Sequence, residues 1–159
     1  MPRILITGDR HWQCLYIARE VVRRLIKKYG RDFVVIHGDA SGVDLSFDEA
    51  CRRENIPTEP HPARWRELGR SAGPRRNSEM ISTGIDFCIS VHRSLSRSHG
   101  TQDCVSRCLE ANIPVYLIDS NKVRPRQIWS VEESRLEPSP SLAHRNQDSG
   151  SRNDPETQG

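Results

Sequence analysis

The chain has 159 residues, of which 35% are hydrophobic and 28% are charged, as expected for one domain with a core of its own. No apolar run approaches the roughly 20 residues that a membrane-spanning helix needs, and the N-terminal apolar stretch is too short for a signal peptide. The net charge of +3 does not by itself indicate a nucleic-acid partner. We therefore expect a cytoplasmic protein that has no membrane partner.

Aliphatic runs and amphipathic stretches alternate in the first part of the chain. Residues 3–7 are mostly aliphatic, as in a strand buried on both faces, and residues 15–29 carry apolar side chains at the 3.6-residue period of an amphipathic helix. Residues 33–37 predict a second strand and residues 43–55 a second helix. Two prolines within residues 57–60 confine a third strand to a sheet edge.

The same alternation continues after an irregular segment, residues 61–73, which is long for a loop in a compact domain. Pro74 suits the first position of a helix that runs to about residue 83. A strand at residues 86–91, a helix at 100–111 and a strand at 113–118 follow. Alternating strands and helices imply right-handed crossovers. The sequence therefore predicts an α/β, Rossmann-like domain over residues 1–121, with about five mainly parallel strands flanked by helices.

Residues 122–159 predict a C-terminal extension that is mostly disordered, because residues 134–159 contain few side chains that could be buried. Residues 127–131 are the exception, and predict either a short edge element or the packing of Trp129 on the sheet. The five cysteines form no Cys-x-x-Cys pair, which fits a reducing compartment. Cys104 and Cys108 share a helical face and are interpreted as small core residues.

Glycine-bearing loops follow three of the predicted strands at their carboxyl ends. In open α/β sheets, ligands bind at this edge where the strand order reverses. Glycine lets the backbone approach a phosphate closely, and the helix N-termini that follow present unpaired N–H groups and a partial positive charge. The three loops supply the ligand-binding candidates Gly8, Asp9 and Arg10; Gly38, Asp39, Ala40, Gly42 and Asp44; and His99, Gly100 and Thr101.

Five arginines lie within residues 64–76, close to Trp65, Gly73 and Asn77. Guanidinium groups this close repel one another unless anions or carboxylates lie among them. A solvated surface loop is the alternative. Together with the three glycine loops, the segment predicts one anion-binding site. The arginines are Arg64, Arg66, Arg70, Arg75 and Arg76.

Several candidates have a structural alternative. Arg76 either binds phosphate or forms an ion pair with Glu79 or Asp103. Asp44 either favours its helix dipole or binds a ribose hydroxyl. Trp65 can stack on a base, although covering the core is the favoured interpretation.

Polar side chains and histidines have similar alternatives. Asn77 either binds ligand or holds its loop. His37 ends a buried strand and is interpreted as a core histidine rather than a base, and His99 is a possible phosphate contact. The remaining histidines show no metal-ligand spacing, so we expect no metal site; they are His11, His61, His92 and His144.

The order and spacing of six motifs carry a family resemblance over residues 3–119. The motifs are residues 7–10 (TGDR), 37–44 (HGDASGVD), 62–65 (PARW), 69–70 (GR), 72–77 (AGPRRN) with Met80, and 100–103 (GTQD). In these motifs the chain resembles the SLOG superfamily, and its YspA-like branch (DUF2493) most of all. The resemblance implies a nucleotide or nucleotide-derived ligand, a homodimer, and no required cofactor.

The resemblance extends in part to LOG-type phosphoribohydrolases, which cleave the N-glycosidic bond of nucleoside 5′-monophosphates. These enzymes use an arginine of an Arg-x-x-Glu-Met segment, matched here by residues 76–80 (RNSEM). They also use a glutamate three residues after a Gly-Thr pair, where this chain has Cys104. Asp103 is one residue early, which turns it by about 100° on a helix. The catalytic candidates are therefore Arg76, Glu79 and Asp103.

The motifs are compatible with a ligand that is sensed, processed or carried. The leading hypothesis is a binding protein for a phosphorylated nucleotide-type molecule, and the enzymatic alternative is N-glycosidic hydrolysis. Single-stranded DNA binding of the DprA kind is less favoured, because only 6% of residues are aromatic. A molybdenum cofactor carrier is a further alternative by kinship.

Overall fold

The computed structural model describes residues 1–136, which form a six-stranded sheet covered by helices on both faces. The strand order is β3-β2-β1-β4-β5-β6, and the first five strands are parallel while β6 is antiparallel. This architecture confirms the predicted α/β fold. The strands are β1 (Arg3–Gly8), β2 (Val34–His37), β3 (Thr58–Pro60), β4 (Phe87–Val91), β5 (Val115–Ile118) and β6 (Arg126–Ile128).

The helices divide between the two faces of the sheet. Ile4 and Ile6 of β1 pack against the helices that follow β1 and β2, whereas Leu5 packs on the opposite face. Burial on both faces explains why β1 is aliphatic rather than alternating. The helices are α1 (Leu15–Tyr29), α2 (Val43–Arg53), α3 (Trp65–Leu68), α4 (Ala72–Ser82), α5 (Gly100–Glu110) and α6 (Val131–Ser134), with 3₁₀ turns at Gly69–Ser71 and Leu95–Arg97.

The strand order reverses between β1 and β4. From β1 the chain passes outward to β2 and β3, then crosses to β4 on the other side. Gly8 pairs with Val91 where these two strands end, and a Cβ on Gly8 would lie 2.5 Å from the Val91 carbonyl oxygen. Glycine is therefore required at this point. The crevice that opens here is the position at which doubly wound sheets bind ligands.

Three details differ from the sequence predictions. The segment expected to be irregular contains α3 and a 3₁₀ turn, and Pro74 is the third residue of α4 rather than the first. The edge element expected at residues 127–131 is present as β6, but packing of Trp129 on the sheet is wrong, since Trp129 is 73% exposed. Its backbone N–H donates instead to the Glu133 carboxylate at 3.0 Å.

The predicted domain boundary at residue 121 falls between β5 and β6. Most of the extension predicted to be disordered, residues 137–159, lies outside the described residues. The five cysteines are buried free thiols, which confirms the interpretation of Cys104 and Cys108 as core residues. Among residues 1–136, no helix combines the length and the hydropathy that crossing a membrane would require.

Candidate functional site

A cavity of about 760 Å³ opens at the carboxyl edge of the sheet. It lies where the loops after β1, β2 and β4 meet the segment of α3 and α4. Twelve of the predicted site residues line it: Asp9, Arg10, Ala40, Trp65, Arg70, Gly73, Arg76, Asn77, His99, Gly100, Thr101 and Asp103.

The positive charge of the cavity comes from four arginines on three different segments, Arg10, Arg70, Arg76 and Arg97. Two carboxylates, Asp9 and Asp103, face them. The arginine-rich stretch is thus only partly in the site. Arg64 lies outside, 4.0 Å from the Glu67 carboxylate, and Arg66 and Arg75 are exposed elsewhere.

Arg76 is held by two neutral oxygen atoms. Its Nη1 donates to the Gly38 carbonyl at 2.5 Å, and its Nε donates to Asn77 Oδ1 at 2.9 Å. A Cβ on residue 38 would lie 2.7 Å from the Arg76 Cζ, so glycine there leaves room for the guanidinium group. The ion pairs considered for Arg76 are not formed, because Glu79 contacts His61 and Asp103 contacts Arg107.

Asn77 is buried and connects α4 to α5. Its Nδ2 donates to Asp103 Oδ2 at 3.0 Å and to the Gly100 carbonyl at 3.3 Å, while its Oδ1 accepts from Arg76. Asp103 Oδ2 also accepts from Arg107 Nε at 2.9 Å. The structural role considered for Asn77 is therefore present, and through it Arg76 and Asp103 have a fixed separation.

Asp44 lies behind the cavity wall and acts as an internal anion. Its Oδ2 accepts the backbone N–H groups of Gly38 at 3.0 Å and Ala40 at 3.3 Å. Those two donors are consequently occupied and cannot bind a phosphate. Asp44 Oδ1 is buried with no hydrogen-bond partner among the described residues, and burial raises the Asp44 pKa to about 6, against the opposing influence of Arg76 and the two N–H donors.

His37 is a satisfied core residue, as predicted. The Asp39 N–H donates to His37 Nδ1 at 3.0 Å, so the ring proton is on Nε2, which lies 2.8 Å from Asp48 Oδ1. Asp39 itself has φ of 55°, in the left-handed region. Gly42 also has positive φ, and a Cβ there would lie 2.5 Å from the Arg10 carbonyl carbon. Together with Gly8, Gly38 and Asp44, these two residues shape the cavity from behind without lining it.

The N-terminus of α5 opens directly into the cavity. The N-cap residue of α5 is His99, and Ser98 Oγ, one residue earlier, accepts the Thr101 N–H at 3.0 Å. Thr101, expected as a possible cap, is instead inside the first turn. No atom beyond the neighbouring residues and the helix backbone lies within 4 Å of the position of a Cβ on Gly100, so the space beside Gly100 is open. The partial positive charge of an 11-residue helix therefore adds to that of the arginines.

Comparison with known proteins identifies the family of the chain. A family model described as the YspA, cpYpsA-related SLOG family matches residues 2–67. The "Gene 61 protein" of Mycobacterium phage D29 is 36% identical to the chain over 120 residues, covering 72% of the chain and 94% of the phage protein.

The chain belongs to the YspA, cpYpsA-related SLOG family.

The part of this SLOG chain that matches the family model runs from just before β1 to Glu67, the third residue of α3. It includes Trp65, whose expected role in covering the core is wrong, since the side chain is 55% exposed. Helix α3 buries none of its four residues, so it carries the indole at the rim of the cavity. A Cβ on Gly73 would lie 3.2 Å from Trp65 Cη2, and glycine therefore lets the ring lie close to α4.

The catalytic candidates of this SLOG chain are separated by the fold. Asp103 and Arg76 line the cavity, whereas Cys104, at the position of the LOG glutamate, is fully buried. Glu79 lies outside the lining, where its carboxylate is 3.0 Å from His61 Nδ1. His61 Nε2 is in turn 2.9 Å from Glu59, and these hydrogen bonds outweigh burial and raise the His61 pKa.

Sequence reasoning missed five residues that line the cavity: His11, Pro74, His92, Arg97 and Ser98. Three of them follow the carboxyl end of β4, in a polar loop whose composition gave no motif. Their position directly after a strand at the sheet reversal was the one available signal. In residues 1–136, no group of three or more His, Cys, Asp or Glu side chains is placed to hold a metal ion.

Proposed function

We propose that the chain binds a phosphorylated nucleotide or nucleotide-derived small molecule in this cavity. The proposal is supported by one observation above all: four guanidinium groups and the open N-terminus of α5 face the same space of about 760 Å³. Pockets for small ligands typically have about 300–1,000 Å³, so a nucleotide fits. Membership in the SLOG family is consistent with a nucleotide-related function.

Arg76 is the side chain best prepared to bind the phosphate. Its Nε and Nη1 are occupied by Asn77 and Gly38, and Nη2 has no hydrogen-bond partner among the described residues. A guanidinium group already fixed in this way loses little side-chain entropy when an anion binds. Four arginines against two carboxylates leave the cavity with an excess of positive charge for that anion.

Calorimetry tests the proposal with AMP, ADP-ribose, NAD and cyclic AMP, each titrated into the wild-type chain near pH 7. The Arg76→Gln variant should weaken the binding of the best ligand by roughly 10- to 100-fold, since a hydrogen bond to a charged group contributes about 1.5–3 kcal/mol. Arg75→Gln is the matched control, because Arg75 is exposed, neighbours Arg76 in α4 and does not line the cavity. Absence of binding by every nucleotide would refute the proposal.

A second candidate function, N-glycosidic hydrolysis of a nucleoside monophosphate, is favoured by the position of Asp103. The LOG glutamate is replaced by a buried cysteine, but the neighbouring carboxylate lines the cavity and is oriented by Asn77 and Arg107. In this reaction Asp103 accepts a proton from the water that attacks C1′, the C1′–N bond breaks, and the proton passes to the departing base.

Base release from nucleoside monophosphates, measured by chromatography, separates the two functions. Hydrolysis predicts free base and ribose 5-phosphate from the wild-type chain, and no release from Asp103→Asn or Arg76→Ala. Binding with no base release would leave the protein as a sensor or carrier of the intact molecule. The expected homodimer, which the family resemblance implies, is tested separately by light scattering of the purified chain.

A further inference from the structure

Asp9 and His92 face each other across the point where the strand order reverses. Each is the residue that follows a paired strand end, Gly8 of β1 and Val91 of β4. The Asp9 N–H donates to the Val91 carbonyl at 3.1 Å, which holds the two strand ends together beyond the last pair. Both side chains line the cavity. No functional role was predicted for His92 from the sequence.

His92 is held as a neutral ring with its proton directed away from the protein backbone. The Ser94 N–H donates to His92 Nδ1 at 2.9 Å, so the ring proton lies on Nε2, which has no partner among the described residues. Burial lowers the His92 pKa and Arg93 adds to this effect, while Asp9 opposes it. The group offered to the cavity is an uncharged N–H donor.

The turn that carries His92 is fixed on both sides. The His92 backbone N–H donates to the Ile118 carbonyl at 3.0 Å. The guanidinium group of Arg93 lies 4.4 Å from the centre of the Trp12 ring, a cation–π contact with a buried side chain. The imidazole is therefore preorganised rather than free to adapt to an anion.

Asp9 supplies the complementary acceptor. Its Oδ1 accepts the His11 N–H at 2.8 Å, and its backbone carbonyl accepts from Trp12 at 3.2 Å and Val43 at 3.1 Å. Asp9 Oδ2 has no hydrogen-bond partner among residues 1–136. One carboxylate oxygen thus fixes the side chain, and the other is available to a ligand.

We propose that Asp9 and His92 form a subsite that binds the sugar hydroxyl groups of the ligand, an inference that rests on the proposed function. A hydroxyl group both donates and accepts, and this pair offers one acceptor and one neutral donor. A phosphate is disfavoured here, because the Asp9 carboxylate repels it and His92 carries no charge. Of the four arginines that line the cavity, Arg10 and Arg97 lie on the same two loops as Asp9 and His92. Arg70 and Arg76 come from the other side, where Arg76 contacts the loop after β2, and we assign the phosphate to that side.

The subsite makes the cavity selective for phosphate esters of hydroxylated sugars. A polar site that loses its hydrogen-bonding partner is left with unpaired buried groups, so analogues without the hydroxyls should bind more weakly. AMP and 2′,3′-dideoxyadenosine 5′-monophosphate share the base and the phosphate and differ in the sugar hydroxyls. The ratio of their dissociation constants therefore measures the subsite alone.

Calorimetry of both nucleotides with the wild-type chain should show AMP binding at least about tenfold more tightly. Asp9→Asn keeps an oxygen for the His11 N–H and should reduce the ratio to below about threefold. His92→Leu should have the same effect. Asp32→Asn is the matched control, because Asp32 is exposed at the opposite end of the sheet, before β2, and the ratio should stay at its wild-type value.

Nitrogen-15 spectra of the histidine side chains give a second measurement that does not depend on the variants. They should show His92 with a protonated Nε2 and an unprotonated Nδ1 near pH 7. A protonated Nδ1 would overturn the proposal. Equal affinity of the wild-type chain for the two nucleotides would also overturn the Asp9–His92 subsite but would leave the proposed function standing. If neither AMP nor any of the other nucleotides bound, both the subsite and the proposed function would be overturned.

Discussion

Replacing Asp44 by asparagine should make the protein more stable near neutral pH. The folded chain holds this carboxyl group in a buried place, where its pKa is raised from the ordinary value of 3.8 to about 6. One unit of pKa is equivalent to about 1.4 kcal/mol, so ionised Asp44 costs the folded state up to about 3 kcal/mol. The asparagine amide keeps an oxygen for the Gly38 and Ala40 N–H groups but carries no charge.

The sign of the pH dependence follows from the raised pKa. The folded state binds the proton more tightly than the unfolded state, so the stabilising contribution of Asp44 is fully present below pH 3.8 and is lost as the pH rises through about 6. The asparagine variant has no such loss. We therefore expect the difference in the free energy of unfolding, variant minus wild type, to rise by about 2–3 kcal/mol between pH 4 and pH 7. Above pH 7 this difference should stay constant.

Urea unfolding at a series of pH values measures this difference, with equal m-values as the check that both proteins unfold in the same way. Asp32→Asn removes one carboxylate at an exposed position and controls for the change in net charge. The reasoning would be refuted if the free energies of unfolding of Asp44→Asn and wild type differed by the same amount at pH 4 and at pH 7. Such a result would mean that Asp44 ionises as easily in the folded state as in the unfolded chain.

Three further changes test other parts of the site. Asn77→Leu removes three hydrogen bonds of a buried amide, two of them to charged groups. The free energy of unfolding, measured by urea denaturation, should fall by about 2–4 kcal/mol. A fall of less than about 0.5 kcal/mol would contradict the role of Asn77 in joining α4 to α5. Trp65→Leu should weaken AMP binding roughly tenfold but leave ribose 5-phosphate unaffected, since stacking contributes about 1–3 kcal/mol per base; equal losses for both ligands would exclude stacking. Glu79→Gln should lower the His61 pKa in an NMR titration, because one of its two carboxylate partners is removed, and an unchanged titration would argue against the pair.

The sequence predicted the central strands of the sheet well because these strands are buried on both faces. Runs such as Ile4 to Ile6 have no polar interruption, and the apolar period of α1 gave both of its ends. The glycine loops were also predictable, since Gly8 and Gly38 each come at the carboxyl end of an aliphatic strand segment. Each of these features is a local property of a few consecutive residues.

Side chains that join the site by tertiary packing were harder to predict. Trp65 was expected to cover the core because aromatic residues usually do, but the short helix α3 faces solvent. Arg64 and Arg75 belong to the same stretch as Arg76 and yet lie outside the cavity, because the turns of α3 and α4 direct neighbouring side chains apart. His92 carried no signal beyond its place after β4, and its tautomer depends on a contact with Ser94 that sequence spacing does not reveal.

An amide NMR titration of the isotope-labelled chain with AMP tests most simply whether a nucleotide binds in the electropositive cavity. Binding in the cavity should shift the amide signals of residues 9–11 and 98–101, in the loops that line it, and those of the first turns of α4. A second groove, between α1 and α2 and lined by Tyr16, Arg19 and Arg53, serves as the internal control and should be unaffected. Shifts confined to that groove, or no shifts at saturating concentrations of AMP and the other nucleotides, would show that the cavity does not bind a nucleotide.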